Sequence, residues 1–381
     1  MYFCPAFSKV YKTIMDVIFF LFIAVIVIQF SYYVIVFGKF VFAKKTTLSP
    51  KKVAVSVLVC AKNEAENVKK FIPLLINQDY PDYEIVLIDD DSNDDTLDIF
   101  EGFEKENPKI KLVKVANVEA FWGNKKYALT LGIKAAKNDY LLFTDADCYP
   151  KTTHWITEMT AHFEPEKTIV LGYGGYETME GSFLNKIIRL ETVLTATQYF
   201  SWAKWGKPYM GVGRNMAYHR SEFFNQNGFI NHIKLRSGDD DLFINEAATA
   251  NNTAICCTEG SFTYSKPKNS FASWIFQKRR HLTTATYYKP FDKLQLGLFY
   301  CSQLLFFILS IILLAVSFQW QIVLGLITFR YLSAWLSIGY ATKKLKEKEI
   351  ILWFPILEVA LIVAQLHIFL SNLISKPIRW K

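Results

Sequence analysis

The chain has 381 residues, 51% of them hydrophobic and 20% charged, and a formal net charge of +8. That length holds one catalytic domain of ordinary size plus membrane segments, and a mean hydropathy of +0.15 with the apolar residues gathered at both ends argues against a purely soluble chain. The basic residues flank apolar runs instead of forming a stripe, so no nucleic acid is expected as a partner and anionic membrane lipids are.

Residues 17–37 form an uncharged run whose polar side chains are Gln29, Ser31, Tyr32 and Tyr33. At about 1.5 Å per residue it spans a hydrocarbon layer of about 30 Å. It is longer than a signal-peptide core and leads into Phe40-Val41-Phe42 and then Lys44-Lys45, which predicts a retained anchor within residues 1–43.

From residue 53 short β-branched runs alternate with helical stretches. Strands are predicted at 55–60, 83–88, 110–115 and 140–143, with helices at 65–77, 94–106 and 125–136 between them. This alternation implies an α/β domain over residues 44–290, with a mostly parallel sheet whose ligands sit at the carboxyl ends of the strands. Polar clusters fall at those ends: Asn63-Glu64, Asp89-Asp90-Asp91 and Asp145-Ala146-Asp147.

Beyond residue 290, three runs are apolar: 294–318 has no charge, 322–341 has only Arg330, and 350–374 has only Glu358 and His367. Three further spans are therefore predicted in a C-terminal membrane domain, 291–381. The lysines after the first span (Lys44, Lys45, Lys51, Lys52) and the Lys343 to Lys348 loop place the soluble domain in the cytosol, at the plasma (inner) membrane. Lys9, Lys12, Lys376, Arg379 and Lys381 then fall on the opposite side.

Asp145 and Asp147 stand two residues apart just past a buried strand, a spacing that lets a hard divalent cation, Mg2+ or Mn2+, bridge both carboxylates and a phosphate. The Asp89 to Thr96 run is not a calcium loop: its sixth and twelfth positions are Asp94 and Phe100, where Gly and Glu are needed. Crowded carboxylates repel one another, which favours a ligand-binding role, with helix capping by Ser92 or Asn93 as the alternative for part of the run. Ser237-Gly238-Asp239-Asp240-Asp241 reads either as an acidic helix start or as the source of a general base. Gln277, Arg279, Arg280 and His281 lie on one predicted helix, placed for snorkelling at a membrane surface or for turning an arginine to a diphosphate. Tyr199, Phe200, Trp202 and Trp205 read as an interfacial belt or an acceptor groove. The six cysteines form no C-x-x-C pair, and no H-E-x-x-H, Walker or G-x-S-x-G pattern occurs.

Taken in order, these residues resemble the family 2 glycosyltransferases of the GT-A fold over about residues 53–281. The resemblance implies that Asn63, Glu64, Asp89, Asp90 and Asp91 hold the nucleotide, with Asp91 where the family usually has Gly. Gly123 to Ile133 is similar to the family's "GKxxALNxGI" element, with Lys125 in the donor-binding position. Asp145 and Asp147 match the metal motif, and Gly211 to Tyr218 looks like the acceptor-side segment, with Gly213 and Asn215. The catalytic "[ED]D" motif falls on Asp239-Asp240, making Asp240 the leading base candidate and Asp241 the alternative under a one-residue shift. Membrane members such as polysaccharide synthases and ceramide glucosyltransferases carry "QxxRW"; here Gln277 and Arg280 are followed by His281 in place of Trp.

The expected activity is inverting, metal-dependent transfer of a sugar from a nucleotide-diphosphate sugar, with a leaning to UDP, to a lipid or lipid-linked acceptor. Processive polysaccharide synthesis on a glycan acceptor is the alternative. A noncatalytic membrane protein that binds nucleotide or carbohydrate stands as the distant third.

Overall fold

A computed structural model of the chain describes residues 5–44, 48–49, 51–116, 125–235 and 237–375. Gly123 and Asn124 of the donor element, Cys4, and Lys45, Lys376, Arg379 and Lys381 of the basic flanks lie outside the described residues. Two compact units form: Met1–Ala43 with Lys289–His367, and Lys44–Tyr288 with Ile368–Lys381.

The first unit opens with α1 (Pro5–Phe30), which passes through a π-helical segment (Ser31–Val36) into the short α2 (Gly38–Val41). The second unit takes the chain through β1 (Val55–Ala61), α3 (Ala65–Ile76), β2 (Tyr83–Asp89), α4 (Thr96–Glu106), β3 (Ile110–Lys114), α5 (Lys125–Ala135) and β4 (Tyr140–Asp145). Short elements follow: β5 (Cys148–Pro150), α6 (Trp155–Thr160), β6 (Ile169–Leu171) and β7 (Gly174–Tyr176). Then come α7 (Phe183–Lys204), β8 (Met216–His219), α8 (Arg220–Asn225), α9 (Asp241–Ala247), β9 (Thr253–Ile255), β10 (Thr263–Ser265) and α10 (Phe271–Ala285). The last helices are α11 (Pro290–Ala315), α12 (Trp320–Lys344) and α13 (Phe354–Ile374).

The main sheet runs β3-β2-β1-β4-β8-β6-β9. Its first four strands are parallel, and β8 enters antiparallel to β4 and β6. β1 and β2 read as continuous apolar runs because helices cover both their faces, and Val57, Val59, Ile85, Leu87 and Leu142 fill one core with Trp155 and Phe163. A second sheet, β5-β10-β7, is made of three-residue strands.

Register decides where the polar turns go. Ala61 pairs with Asp89 and Cys60 with Asp145, so the ends of β1, β2 and β4 stop on one line. The carboxylates that follow each strand in sequence are therefore delivered to one edge.

Among the described residues, four helical stretches are long and apolar enough to cross a membrane: Lys9–Val41, Pro290–Ala315, Trp320–Lys344 and Lys348–Ile374. They overrun the uncharged stretches 17–37, 294–318, 322–341 and 350–374 at most ends. Backbone hydrogen bonding carries a helix through Lys9, Lys12 and Asp16 without needing apolar side chains, and Pro290 starts α11 at the position where proline is best tolerated. Within this unit Arg330 is fully buried and forms a two-pronged ion pair with Glu358, Nη1 to Oε2 at 2.7 Å and Nη2 to Oε1 at 2.5 Å. Gln29 accepts from the same guanidinium at 2.9 Å, and Tyr33 and Gln303 donate to Glu358 at 3.2 and 3.3 Å. One network thus ties α1 with its π-helical segment, α11, α12 and α13 together.

Candidate active site

The turns after β1 and β2 brace each other. The Asn63 N–H donates to Ser92 Oγ at 3.1 Å, the Asn93 N–H to Asn63 Oδ1 at 2.7 Å, and the Glu64 N–H to Thr96 Oγ1 at 2.9 Å. Asn63 and Asp91 hold left-handed backbone, at φ 55° and 56°. Asn and Asp tolerate that region better than other residues with a Cβ, so Asp91 can make this left-handed turn without Gly. Helix capping falls to neither Ser92 nor Asn93: Asp94 Oδ1 accepts from the Thr96 N–H at 3.1 Å and the Thr96 hydroxyl at 2.5 Å. Asp89 is 3% exposed; its Oδ2 accepts from the Ser92 N–H, while Oδ1 is buried with no partner among the described residues. A buried acceptor left open at a strand end is what a ribose or base donor would satisfy. Burial raises the Asp90 carboxyl above its ordinary value.

Beside these turns, Asp145, Asp147 and Cys148 bring potential ligand atoms within 4.8 Å of one another. Asp147 is open to solvent on one side, yet desolvation against the site wall, added to the charges of Asp145 and Glu64, raises its carboxyl. A divalent cation would relieve that repulsion, and two hard carboxylates suit Mg2+ or Mn2+. Cys148 fits a supporting place better than a ligand's. Burial and the Asp147 and Asp145 charges push its thiol well up, so it stays protonated and lies 3.3 Å from Asp147 Oδ1 as a donor.

Lys125, the first residue of α5, reaches two acidic groups from different parts of the chain. Its Nζ lies 2.6 Å from Asp145 Oδ1 and 2.9 Å from Asp239 Oδ2. Burial works against this ammonium, but the Asp145 and Asp239 charges outweigh it and hold its pKa well above the ordinary value. Under it lies a small pocket lined by Cys60, Phe143, Thr144, Gly213 and Met216.

The three adjacent aspartates have three different environments. Asp239 is buried; desolvation opposes its ionisation, and Lys125 more than offsets this by charge and hydrogen bond, so its pKa is lowered. Asp241 is raised by desolvation, while its Oδ2 accepts from Thr284 Oγ1 at 2.5 Å and Tyr288 Oη at 2.7 Å, and its Oδ1 from the Leu242 N–H at 2.8 Å. Asp240 accepts from the Gly213 N–H at 2.7 Å and from the Asp241 N–H at 2.7 Å, with no side-chain donor to it among the described residues. Desolvation and the flanking Asp239 and Asp241 charges push it up to about 7. A carboxylate titrating near neutrality is the useful kind for general-base work.

The residues expected on the acceptor side divide. Gly213 is buried and holds Asp240 through its N–H. Asn215 corrects the sequence reading: it is fully buried, donates to the carbonyls of Tyr173 at 2.8 Å and Ser261 at 2.6 Å, and accepts from Trp155 Nε1 at 3.0 Å. Its amide donors are saturated, which leaves none for an acceptor, and Gly172 makes room for it because a Cβ there would meet Asn215 Cγ at 2.6 Å. On α10, Arg280 is half-buried and sits in the field of Asp239, Asp145 and Asp240. Arg279 is engaged elsewhere, donating to Asn372 Oδ1 at 2.9 Å and to the carbonyls of Ser371 and Ser375. Gln277 is half-buried and His281 exposed.

Tyr199 and Phe200 also depart from expectation. They are buried in the α7 core, with the Tyr199 hydroxyl donating to the Gly172 carbonyl at 2.7 Å, while Trp205 is exposed. Three participants were not singled out by the sequence, although Arg214 lies within the Gly211 to Tyr218 segment. Thr284 and Tyr288 hold Asp241, and Arg214 donates to the Gly174 carbonyl at 2.8 Å and Ser265 Oγ at 3.1 Å while stacking on Tyr176 near the metal pair.

Residues 56–224 match the family model described as glycosyl transferase family 2. An uncharacterized glycosyltransferase of Haemophilus influenzae is 30% identical over 154 residues, 40% of this chain and 44% of that protein. The uncharacterized glycosyltransferase EpsJ of Bacillus subtilis is 24% identical over 219 residues, 57% and 62% of the respective lengths. The matched segments thus span about half the length of these curated relatives. Among solved structures, the mannosyltransferase PcManGT from Pyrobaculum calidifontis in complex with GDP-Man and Mn2+ is similar in fold. Its TM-score is 0.57 at 15% identity, covering 88% of this chain and 98% of that one.

Proposed function

Because the chain belongs to the family 2 glycosyltransferases, with a GT-A fold, we propose that it moves a sugar from a nucleoside-diphosphate sugar to a lipid or lipid-linked acceptor at a membrane. The observation that carries this reading is Lys125, which joins Asp145 of the metal pair to Asp239 of the acidic turn and so makes one site of a phosphate end and a base end. Four membrane-length helices supply the argument for an acceptor that resides in lipid. The lysines at 44, 51, 52, 343, 344, 346 and 348 argue for a cytosolic catalytic unit at the plasma (inner) membrane.

In the proposed reaction Asp240 takes the proton from an acceptor hydroxyl, and that oxygen forms a bond to the anomeric carbon as the bond from that carbon to the diphosphate oxygen breaks. The nucleoside diphosphate leaves and the configuration inverts. Asp239, pinned by Lys125, keeps the turn in place; Arg280 adds positive charge facing the cleft; Asp89 and the Asp90-Asp91 turn receive the nucleoside. A Mg2+ or Mn2+ ion held by Asp145 and Asp147 would neutralise the departing diphosphate.

The test is mass analysis of products from membranes carrying the full chain, supplied with UDP-sugars first and GDP-mannose second. One-sugar lipid adducts are expected. A ladder of polymers would favour polysaccharide synthesis, which the Gln277 to Arg280 spacing supports, and binding of nucleotide sugar with no turnover would overturn the enzymatic reading.

A further inference from the structure

α5 begins with two lysines that face different tasks. Lys125 reaches the carboxylates of the cleft; its neighbour Lys126 is 1% exposed and lies inside the domain. A buried ammonium is costly unless its N–H donors find partners. Here three carbonyls of one segment converge on it: His232 at 2.7 Å, Leu235 at 2.9 Å and Ser237 at 2.6 Å. Among the described residues none of these carbonyls lies in a strand, although that of His232 also accepts from the Leu235 N–H at 3.0 Å, and the segment ends one residue before Gly238, at φ 98°, and then Asp239. The glycine is required there, since a Cβ would meet Leu242 Cδ1 at 2.5 Å. Downstream, Asp239 is pinned by Lys125 and Asp240 by the Gly213 N–H.

We propose that Lys126 is a positioning residue for the acidic turn, gathering the carbonyls of His232, Leu235 and Ser237 so that the chain enters Gly238 in the one path that presents Asp240 to the cleft. The ammonium touches neither the metal pair nor, in the proposed reaction, the donor. It acts through the backbone. Methionine, one heavy atom shorter but close in volume, takes this donor away from the Leu235 and Ser237 carbonyls and leaves His232 only the Leu235 N–H at 3.0 Å, so the segment loosens while the sheet beneath it stays packed. Burial pushes the Lys126 ammonium down to about 8, and the charges of Asp239, Asp241, Asp240 and Glu246 offset only part of this; burial and then the Lys126 charge likewise lower His232.

The turnover arm of the test rests on the glycosyltransferase reading, and the exchange arm does not. Full-length protein in lipid nanodiscs is compared as wild type, Lys126→Met and Lys126→Arg by hydrogen–deuterium exchange, by calorimetric binding of UDP with Mn2+, and by turnover of whichever donor the product screen identifies. For Lys126→Met, amides within 232–241 are expected to exchange at least about tenfold faster with β1 to β4 unchanged. Its kcat falls at least about tenfold while donor KM and UDP binding stay within about twofold, a split that marks loss of transition-state positioning. Lys126→Arg, which keeps charge and donors, recovers most of the protection. Unchanged exchange in 232–241, acceleration spread evenly over the whole sheet, or identical behaviour of the Met and Arg variants would each overturn the proposal. If no donor turns over in the wild type, the function proposed above fails and the exchange comparison still decides this one.

Discussion

Each unit of the molecule buries ionisable groups, and the two clusters are built on opposite terms. In the membrane-length unit one cation meets one anion: Arg330 and Glu358 pair through two hydrogen bonds, and Gln29, Tyr33 and Gln303 take up further capacity. In the α/β unit Asp89, Asp90, Asp145, Asp147, Asp239, Asp240 and Asp241 crowd an edge where Lys125 and Arg280 bring the opposing charge. Balance and saturation leave the first cluster little to do but hold helices together. Excess charge and an open acceptor on Asp89 leave the second poised for a cation, a phosphate and a proton. Removing a charge should therefore cost stability in the one and activity in the other.

The largest effect expected is on turnover. Asp240→Asn keeps the shape and removes the base, so kcat should fall about 10³-fold or more, roughly 4 kcal/mol of barrier. UDP binding with Mn2+ stays, and thermal stability does not drop, because the fold no longer has to keep a crowded carboxylate. Retained turnover would break the assignment.

Arg330→Met is the mirror experiment. It strands Glu358 among apolar helices and should destabilise the membrane-length unit by about 3 kcal/mol, towards the low end for a broken buried pair because groups within a bilayer find other partners. Pairing it with Glu358→Leu should recover part of the loss. Denaturation in detergent monitors both, and a double variant no better than the single would mean that the pair itself is not the fastener.

Much of this contrast was legible before any coordinates, and what was not has a physical reason. Parallel strands covered on both faces read as apolar runs, so β1 to β4 and the carboxylates at their ends could be placed from sequence; β5 to β7, β9 and β10 have three residues each, too short to show a period. Asp145 and Asp147 stood out because strand-end position is a local property, and Asp240 because an acidic run just before a predicted helix is one too. Lys126, Thr284 and Tyr288 did not, since their meaning lies in partners 43 to 111 residues away. Asn215 shows the reverse failure: a motif match drew attention to an amide that burial had already committed to Tyr173, Ser261 and Trp155. Arg330 and Glu358 were each visible as a lone charge in an apolar run, but pairing one with the other needed the packing of α12 against α13.

Cation binding should sharpen the comparison next. Mn2+ with UDP at about a hundredfold excess over Kd should stabilise the α/β unit by about 2.7 kcal/mol, and chelation should remove both that gain and turnover. Asp145→Asn with Asp147→Asn should abolish the stabilisation. Melting curves with and without chelator measure it, and a gain that survives the double variant would move the cation elsewhere.

Proton loss from Asp240 sets the next smaller effect. Its carboxyl is raised to about 7 in the folded protein by desolvation and by Asp239 and Asp241, so the working anion is scarce in acid and complete above neutrality. The value of kcat/KM should climb about tenfold per unit of pH below 7 and level off above it. A flat profile between pH 5 and 8 would mean that a group ionised throughout that range, as the Lys125-paired Asp239 is, carries the base role instead.

The smallest effect tests how the three aspartates are kept unlike one another. Tyr288→Phe removes one of two side-chain donors to Asp241 Oδ2, leaving Thr284 in place, and should lower kcat only about three- to tenfold. It also makes the Asp241 anion harder to form, since desolvation already raises that carboxyl and the tyrosine was lowering it. A protonated Asp241 repels the Asp240 anion less, so the acid limb of the variant should move to lower pH by a fraction of a unit. A limb that moves to higher pH, or a loss as large as that of Asp240→Asn, would show that Asp241 reaches the reacting atoms itself and that the turn has been read one residue out of place.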